Sequence, residues 1–157
     1  LAEPAWAKKA KEGRASDIKP CINCLIGCID RGMLSHTPIH CTVNPSLYRF
    51  ECKPVEKAET RKQVAVVGAG PAGCEAALTA SKRGHQVTIY EKRCIGGAMI
   101  EASKPENKAN IKRLIHYYED HIMHDPNITL VKEEVEYETL VHSGYDAVIM
   151  SAEKPEY

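Results

Sequence analysis

The chain has 157 residues, 43% of them apolar, which is the length of one domain, or of one domain with an appendage, and the composition of an ordinary folded protein. Its 21 Lys and Arg balance 21 Asp and Glu, so no global field favours nucleic acid or an anionic membrane surface. The balance is an average: up to Lys62 there are 11 basic against 7 acidic residues, and beyond it 10 against 14.

Residues 1–20 are rich in Ala and Lys, and Ala5 to Lys11 is expected to form a short helix with too few large apolar residues for a core of its own. Residues 21–54 show no sustained period. Gly27, Gly32, Pro38, Pro45 and Pro54 break them into turns and short helices, so something other than apolar burial is expected to hold them. The polar run 55–62 reads as a linker.

From Gln63 the texture becomes that of a layered α/β fold. Val64-Ala65-Val66-Val67 is apolar at consecutive positions, as a strand covered on both faces of a parallel sheet should be. Pro71 to Arg83 is Ala-rich, with Pro at its start and Gly84 just past its end, and predicts a helix. Gln86 to Glu91 follows as a second strand, which completes a βαβ unit whose default crossover is right-handed. Ile111, Leu114, Ile115, Tyr118 and Ile122 recur at helical spacing within an amphipathic helix from Pro105 to about His121, and Ile128 to Val131 and Ala147 to Met150 are later strands. The expected fold is therefore α/β: an irregular four-cysteine segment followed by a partial Rossmann-like dinucleotide-binding domain over 63–157.

Four of the seven cysteines, Cys21, Cys24, Cys28 and Cys41, fall within 21 residues. No charged-then-apolar leader and no run of about 18 apolar residues is present, so neither secretion nor a membrane span is expected and a cytoplasmic location is. In that setting clustered thiols suggest a metal centre before disulfides. Three thiols on a turn-rich loop with a distant fourth can cage either a structural zinc ion or an iron–sulfur cluster. The absence of two separated pairs favours the cluster. His36 and His40 lie between the third and fourth cysteines and read as loop histidines, since four thiolates complete a site. Lys19 and Arg31 supply positive charge beside the thiols. Cys52, Cys74 and Cys94 stand apart and read as packing residues.

Gly68-Ala69-Gly70-Pro71-Ala72-Gly73 follows a predicted strand and opens a predicted helix, the context a dinucleotide fingerprint requires. Gly68 allows the tight turn, Gly70 lets the backbone approach a pyrophosphate, Gly73 permits close helix–strand packing, and Glu91 at the end of the second strand can accept from a ribose diol. Flavin and nicotinamide sites share this pattern. Ordinary acid–base or nucleophilic catalysis has no motif context: His116, His121 and His124 read as solvated or packed, and Glu133, Glu134, Glu136 and Glu138 as an exposed edge.

Pro20-Cys21-Ile22-Asn23-Cys24, Cys28, Cys41-Thr42-Val43-Asn44-Pro45, the stretch from Val64 to Gly73, Gly84-His85-Gln86-Val87-Thr88, Glu91-Lys92 and Ile95-Gly96-Gly97, in that order, resemble the 2,4-dienoyl-CoA reductase, 2-enoate reductase and trimethylamine dehydrogenase family. The resemblance covers nearly the whole chain. It implies an FMN-binding barrel before residue 1, whose exit would be residues 1–20, then a [4Fe-4S] loop over 21–54, then an FAD domain. Cys21, Cys24, Cys28 and Cys41 would be cluster ligands, and Gly68, Gly70, Pro71, Ala72, Gly73, Glu91, Lys92, Gly96 and Gly97 would line the FAD site. The Ile95-Gly96-Gly97 segment favours FAD through that resemblance. The implied partners are NADH or NADPH and an unsaturated carbonyl substrate, with room for a homo-oligomer. No catalytic residue of the barrel has a counterpart, so the chain is expected to be an electron-transfer fragment that is inactive alone. Two departures stand out: Ser151-Ala152-Glu153 replaces the usual Ala-Thr-Gly-like segment, and Ala98 with Glu101-Ala102-Ser103 sits nearer the enoate reductases. ADP in place of FAD, and a zinc-stapled nucleotide-binding module without redox activity, stay open as alternatives.

Overall fold

The computed structural model describes residues 1–47 and 55–152. Two compact units emerge, one formed by Leu1–Pro54 with Ala102–Tyr117 and the other by Val55–Glu101 with Tyr118–Tyr157.

In the first unit the helix α1 (Trp6–Lys11) carries Lys8, Lys9 and Lys11 in its last turn, where cations suit the negative end of the helix dipole, and it buries none of its residues. Trp6 itself is 59% exposed. Ahead of the helix, the Glu3 carboxylate receives the Lys9 ammonium at 2.5 Å and the Ala5 N–H at 2.9 Å. A π-helical segment, Ile26–Leu34, follows, with Asp30 N–H bonded to Leu25 O and Ser35 N–H to Asp30 O, each five residues back. Apolar burial is scarce: among the described residues of 1–54, Val43 is the buried hydrophobic side chain. Leu114 and Ile115 of a later helix, α4 (Ala109–Met123), add 3% and 8% exposed side chains to this unit.

The second unit is built on a parallel sheet in the order β3-β2-β1-β4. The central strand β1 (Gln63–Val67) pairs in register with β2 (Gln86–Tyr90) on one side and β4 (Ala147–Met150) on the other, and β3 (Ile128–Val131) extends the β2 edge. Val64 to Val67 are all buried, the consecutive burial expected of a strand covered on both faces. The helix α2 (Pro71–Lys82) buries Cys74, Ala77, Ala80 and Ser81, a stripe of small residues that lets it lie close on the sheet, and it gives way to Gly84 at φ +95°.

The expected strands are present with nearly the expected bounds. The amphipathic pattern near residue 111 forms a 3₁₀ turn, Glu106–Lys108, and then α4, with Tyr118 and Ile122 only 2% and 1% exposed. Two helices of five residues, α3 (Ala98–Ala102) and α5 (Tyr137–Val141), were not expected, because neither is long enough to display a period. α5 buries Leu140 against Ala65 and Val67, with Tyr90, Val135, Tyr145 and Val148 packed around them.

Candidate functional sites

The chain order reverses beside β1: β2 and β3 succeed one another on one side of it, while β4 lies on the other. At such a switch point the loops beyond the carboxyl ends of the strands separate and leave a crevice. A cavity of about 610 Å³ opens there, within the range of small-molecule sites. Gly68, Gly70, Pro71, Glu91, Lys92 and Gly97 line it.

The glycines act differently. Gly68 turns the chain at φ +93° as β1 ends, held by its N–H to Tyr90 O at 2.8 Å. Gly70 is the N-cap of α2, with no side-chain cap, and a Cβ placed on it would meet nothing within 4 Å, so the backbone is open to a close-approaching ligand. Gly73 does not line the cavity: a Cβ there would stand 2.0 Å from Gly68 O, so this residue seats the helix against the turn. Gly97, at φ +51°, crosses the fingerprint loop so tightly that a Cβ would lie 2.9 Å from the Gly70 Cα. Gly96 supports the same loop through its N–H to Ala69 O at 2.8 Å, and Ala72 is exposed on the first turn of α2 without facing the cavity.

Glu91 is already engaged. Its Oε2 accepts the Ala69 N–H and its Oε1 the Arg93 N–H, each at 2.8 Å, which leaves further lone pairs for a diol. Lys92 pairs with Glu134 at 2.7 Å in the open. Sequence reasoning missed Tyr90, Arg93, Ser151 and Ala152 as cavity-lining residues, and it read the Glu133–Glu138 run as an exposed edge when that run also forms one wall. Tyr90 donates to or accepts from Tyr145 across 3.0 Å, and that bond, with burial, pushes its hydroxyl up to about 12.

Cys74 packs as expected: it is fully buried beneath the fingerprint loop, its thiol donates to Ala69 O at 3.3 Å, and burial, with the Glu75 and Glu91 charges, pushes it up to about 12. Cys94 is a correction. It is exposed, because it falls in the turn after β2, beyond the reach of the sheet's core. Cys52 lies outside the described residues.

In the first unit, Cys21, Cys24, Cys28 and Cys41 all line one small cavity of about 50 Å³. The local chain explains their convergence. His40 N–H bonds to Gly27 O at 2.8 Å, so Cys41 is brought beside Cys28, and Thr37 N–H to Arg31 O closes the intervening loop. A Cβ on Gly27 would lie 2.5 Å from His40 O, so glycine is what permits that approach. Asn23 and Leu25, on either side of Cys24, both have positive φ. Burial pushes the Cys24 thiol up, but the Thr42 hydroxyl at 3.2 Å and the backbone N–H groups of Ile26 and Gly27 outweigh it and hold the thiol below its ordinary value.

All six described cysteines are free thiols. Among the described residues, however, no three His, Cys, Asp or Glu side chains stand close enough together to hold a metal ion. The four thiols that line one cavity are a donor set whose chemistry suits a metal centre. His40 also lines the cavity, whereas His36 is exposed and does not. Lys19 lies over the Tyr117 ring at 5.7 Å, and Arg31 donates to Pro38 O at 3.0 Å.

The chain is similar to known oxidoreductases. Residues 62–154 match the profile of the family described as pyridine nucleotide-disulphide oxidoreductase. The chain is 48% identical over 114 residues to an NADH oxidase of Thermoanaerobacter brockii, covering 71% of this chain and 18% of that protein. It is 32% identical over 153 residues to a cinnamate reductase of Clostridium sporogenes, covering 96% of this chain and 23% of that protein. Among solved structures, a 2-naphthoyl-CoA reductase in complex with 2-naphthoyl-CoA superposes with a TM-score of 0.85 at 31% identity, over 99% of this chain and 24% of that one. The chain thus spans about a fifth of the length of the curated relatives it matches.

Proposed function

The chain belongs to the pyridine nucleotide-disulphide oxidoreductase family, on the branch of FMN, [4Fe-4S] and FAD oxidoreductases that includes the enoate and dienoyl-CoA reductases, and from that premise we propose that it is the electron-transfer portion of an NAD(P)H-dependent enzyme reducing activated carbon–carbon double bonds. The observation that carries this reading is the glycine-built cavity at the β1–β4 switch point. FAD, when bound, supplies the chemistry that takes a hydride and releases single electrons. The residues that would hold it are Gly68, Gly70 and the uncapped start of α2 for the pyrophosphate, Glu91 for the adenosine ribose, and Gly97 for close passage of the chain.

The four thiols of the first unit would hold a [4Fe-4S] cluster, with Thr42 and the N–H groups of Ile26 and Gly27 directed at Cys24, where donors to sulfur raise a cluster's potential. FMN and the unsaturated substrate would be held by parts of the enzyme that these residues do not form. The free thiols and the redox role support a cytoplasmic setting, and among the described residues no helix is long and apolar enough to cross a membrane.

Anaerobic purification tests the reading. A brown chain carrying iron and acid-labile sulfide, with weak FAD affinity and no reductase activity on its own, is the expected result. Colourless protein with one zinc per chain would favour a stapled nucleotide-binding module, and tight stoichiometric FAD binding would count against an incomplete flavin site.

A further inference from the structure

Resting on the reading of the cavity as a dinucleotide cradle, we propose that Ser151 is a positioning residue that, with Glu91, clamps the single peptide plane between Gly68 and Ala69 and so fixes the fingerprint loop for a pyrophosphate. The two edges of that plane are the Gly68 carbonyl and the Ala69 N–H. Ser151 Oγ lies 2.9 Å from Gly68 O, and Glu91 Oε2 accepts the Ala69 N–H at 2.8 Å. The two groups point to opposite sides of a trans peptide, so one side chain holds each edge.

Ser151 Oγ is also 2.8 Å from Val67 O, which accepts the Ser151 backbone N–H at 2.9 Å as well, so the one hydroxyl proton is shared between the last carbonyl of β1 and Gly68 O and ties the turn to the strand end. The hydroxyl is wedged between two fingerprint glycines: a Cβ on Gly73 would stand 2.5 Å from it, and one on Gly68 3.1 Å. The clamp matters because Gly68, at φ +93° and without a side chain, offers its peptide little torsional resistance, and the next peptides carry the N–H groups of the cradle. The family resemblance marks position 151 as a departure. The structure gives the departing residue a task, in which a side chain from the far edge of β1 fixes a loop that the glycines alone leave free to turn.

The test compares the unaltered chain with Ser151→Ala, which removes only the hydroxyl. Binding of ADP and of adenosine is followed by NMR titration, and exchange of the Ala69 amide is measured without ligand. The expected result is ADP affinity about 3- to 10-fold weaker, adenosine affinity changed by less than about twofold, and Ala69 exchange about tenfold faster, the scale of one lost hydrogen bond. Equal weakening of both ligands would mark a merely structural residue and overturn the proposal, as would unchanged ADP binding. An unaltered chain that fails to bind ADP would overturn the cradle reading, while unchanged Ala69 exchange would overturn the clamp whether or not a ligand binds.

Discussion

The two units reach order by different means. The second buries Val64, Ala65, Val66, Val67, Val87 and Ile89 in a parallel sheet, so apolar burial holds its elements together. Among the described residues of 1–54 the first unit buries the side chain of Val43, and leaves Leu25, Ile26, Ile29, Met33 and Leu34 more than 40% exposed. Its structure rests on turn hydrogen bonds and on four thiols facing one small cavity. A segment that buries little apolar surface of its own is stabilised by a cross-link, and the metal centre proposed for its cysteines would be one. The contrast matches the proposed chemistry: the sheet would present a site on a finished scaffold, and the proposed cluster would supply the scaffold of its own segment.

The largest effect expected from this contrast is the loss of the cluster proposed for the four thiols. Oxidative destruction or chelation of the centre should abolish ordered structure over residues 21–41 while leaving the sheet's amide protection intact, as hydrogen exchange would read it. Simultaneous loss of protection in both units would break the distinction. Next in size, Ile89→Ala empties a fully buried position in β2 and should lower the stability of the second unit by about 2–5 kcal/mol in urea unfolding, with no change in the metal content of the first.

The smallest effect concerns pH. Cys74 is held neutral in the folded state up to about 12 against an ordinary value near 9, so above that value the unfolded chain releases a proton that the folded chain keeps. Stability of the second unit therefore falls as pH rises from about 9 towards 12, by about 1 kcal/mol per pH unit from this group. Cys74→Ala should flatten that slope, and an unchanged alkaline slope would show that other groups set it. Tyr90, raised to a similar value by Tyr145 and burial, contributes in the same direction.

Much of this was legible in the residues. The Val64–Val67 run, the Pro71 start and Gly84 stop, and the 111–122 stripe each encode local burial or backbone geometry, and each led to an element close to the one observed. The fingerprint pointed to the cavity at the end of β1, where Gly68 turns the chain at positive φ and Gly73 seats the helix, and the structure divides the glycines' duties in a way no spacing could show. What was not legible depended on long-range pairing. Ser151 becomes relevant only when β4 lies beside β1, which no local period announces. α3 is too short to display a period, α5 is fixed by Leu140 against Ala65 and Val67, and the exposure of Cys94 follows from where β2 stops.

The pairing of β1 with β4 also has a consequence for how the molecule is made. Ser151 and Val67, bonded through the Ser151 backbone N–H, are 84 residues apart in the chain, whereas β2 follows β1 after one helix. During synthesis one side of β1 is satisfied early and the other stays an open edge until β4 has left the ribosome. The fingerprint loop is thus laid down among the first features of its unit and completed among the last.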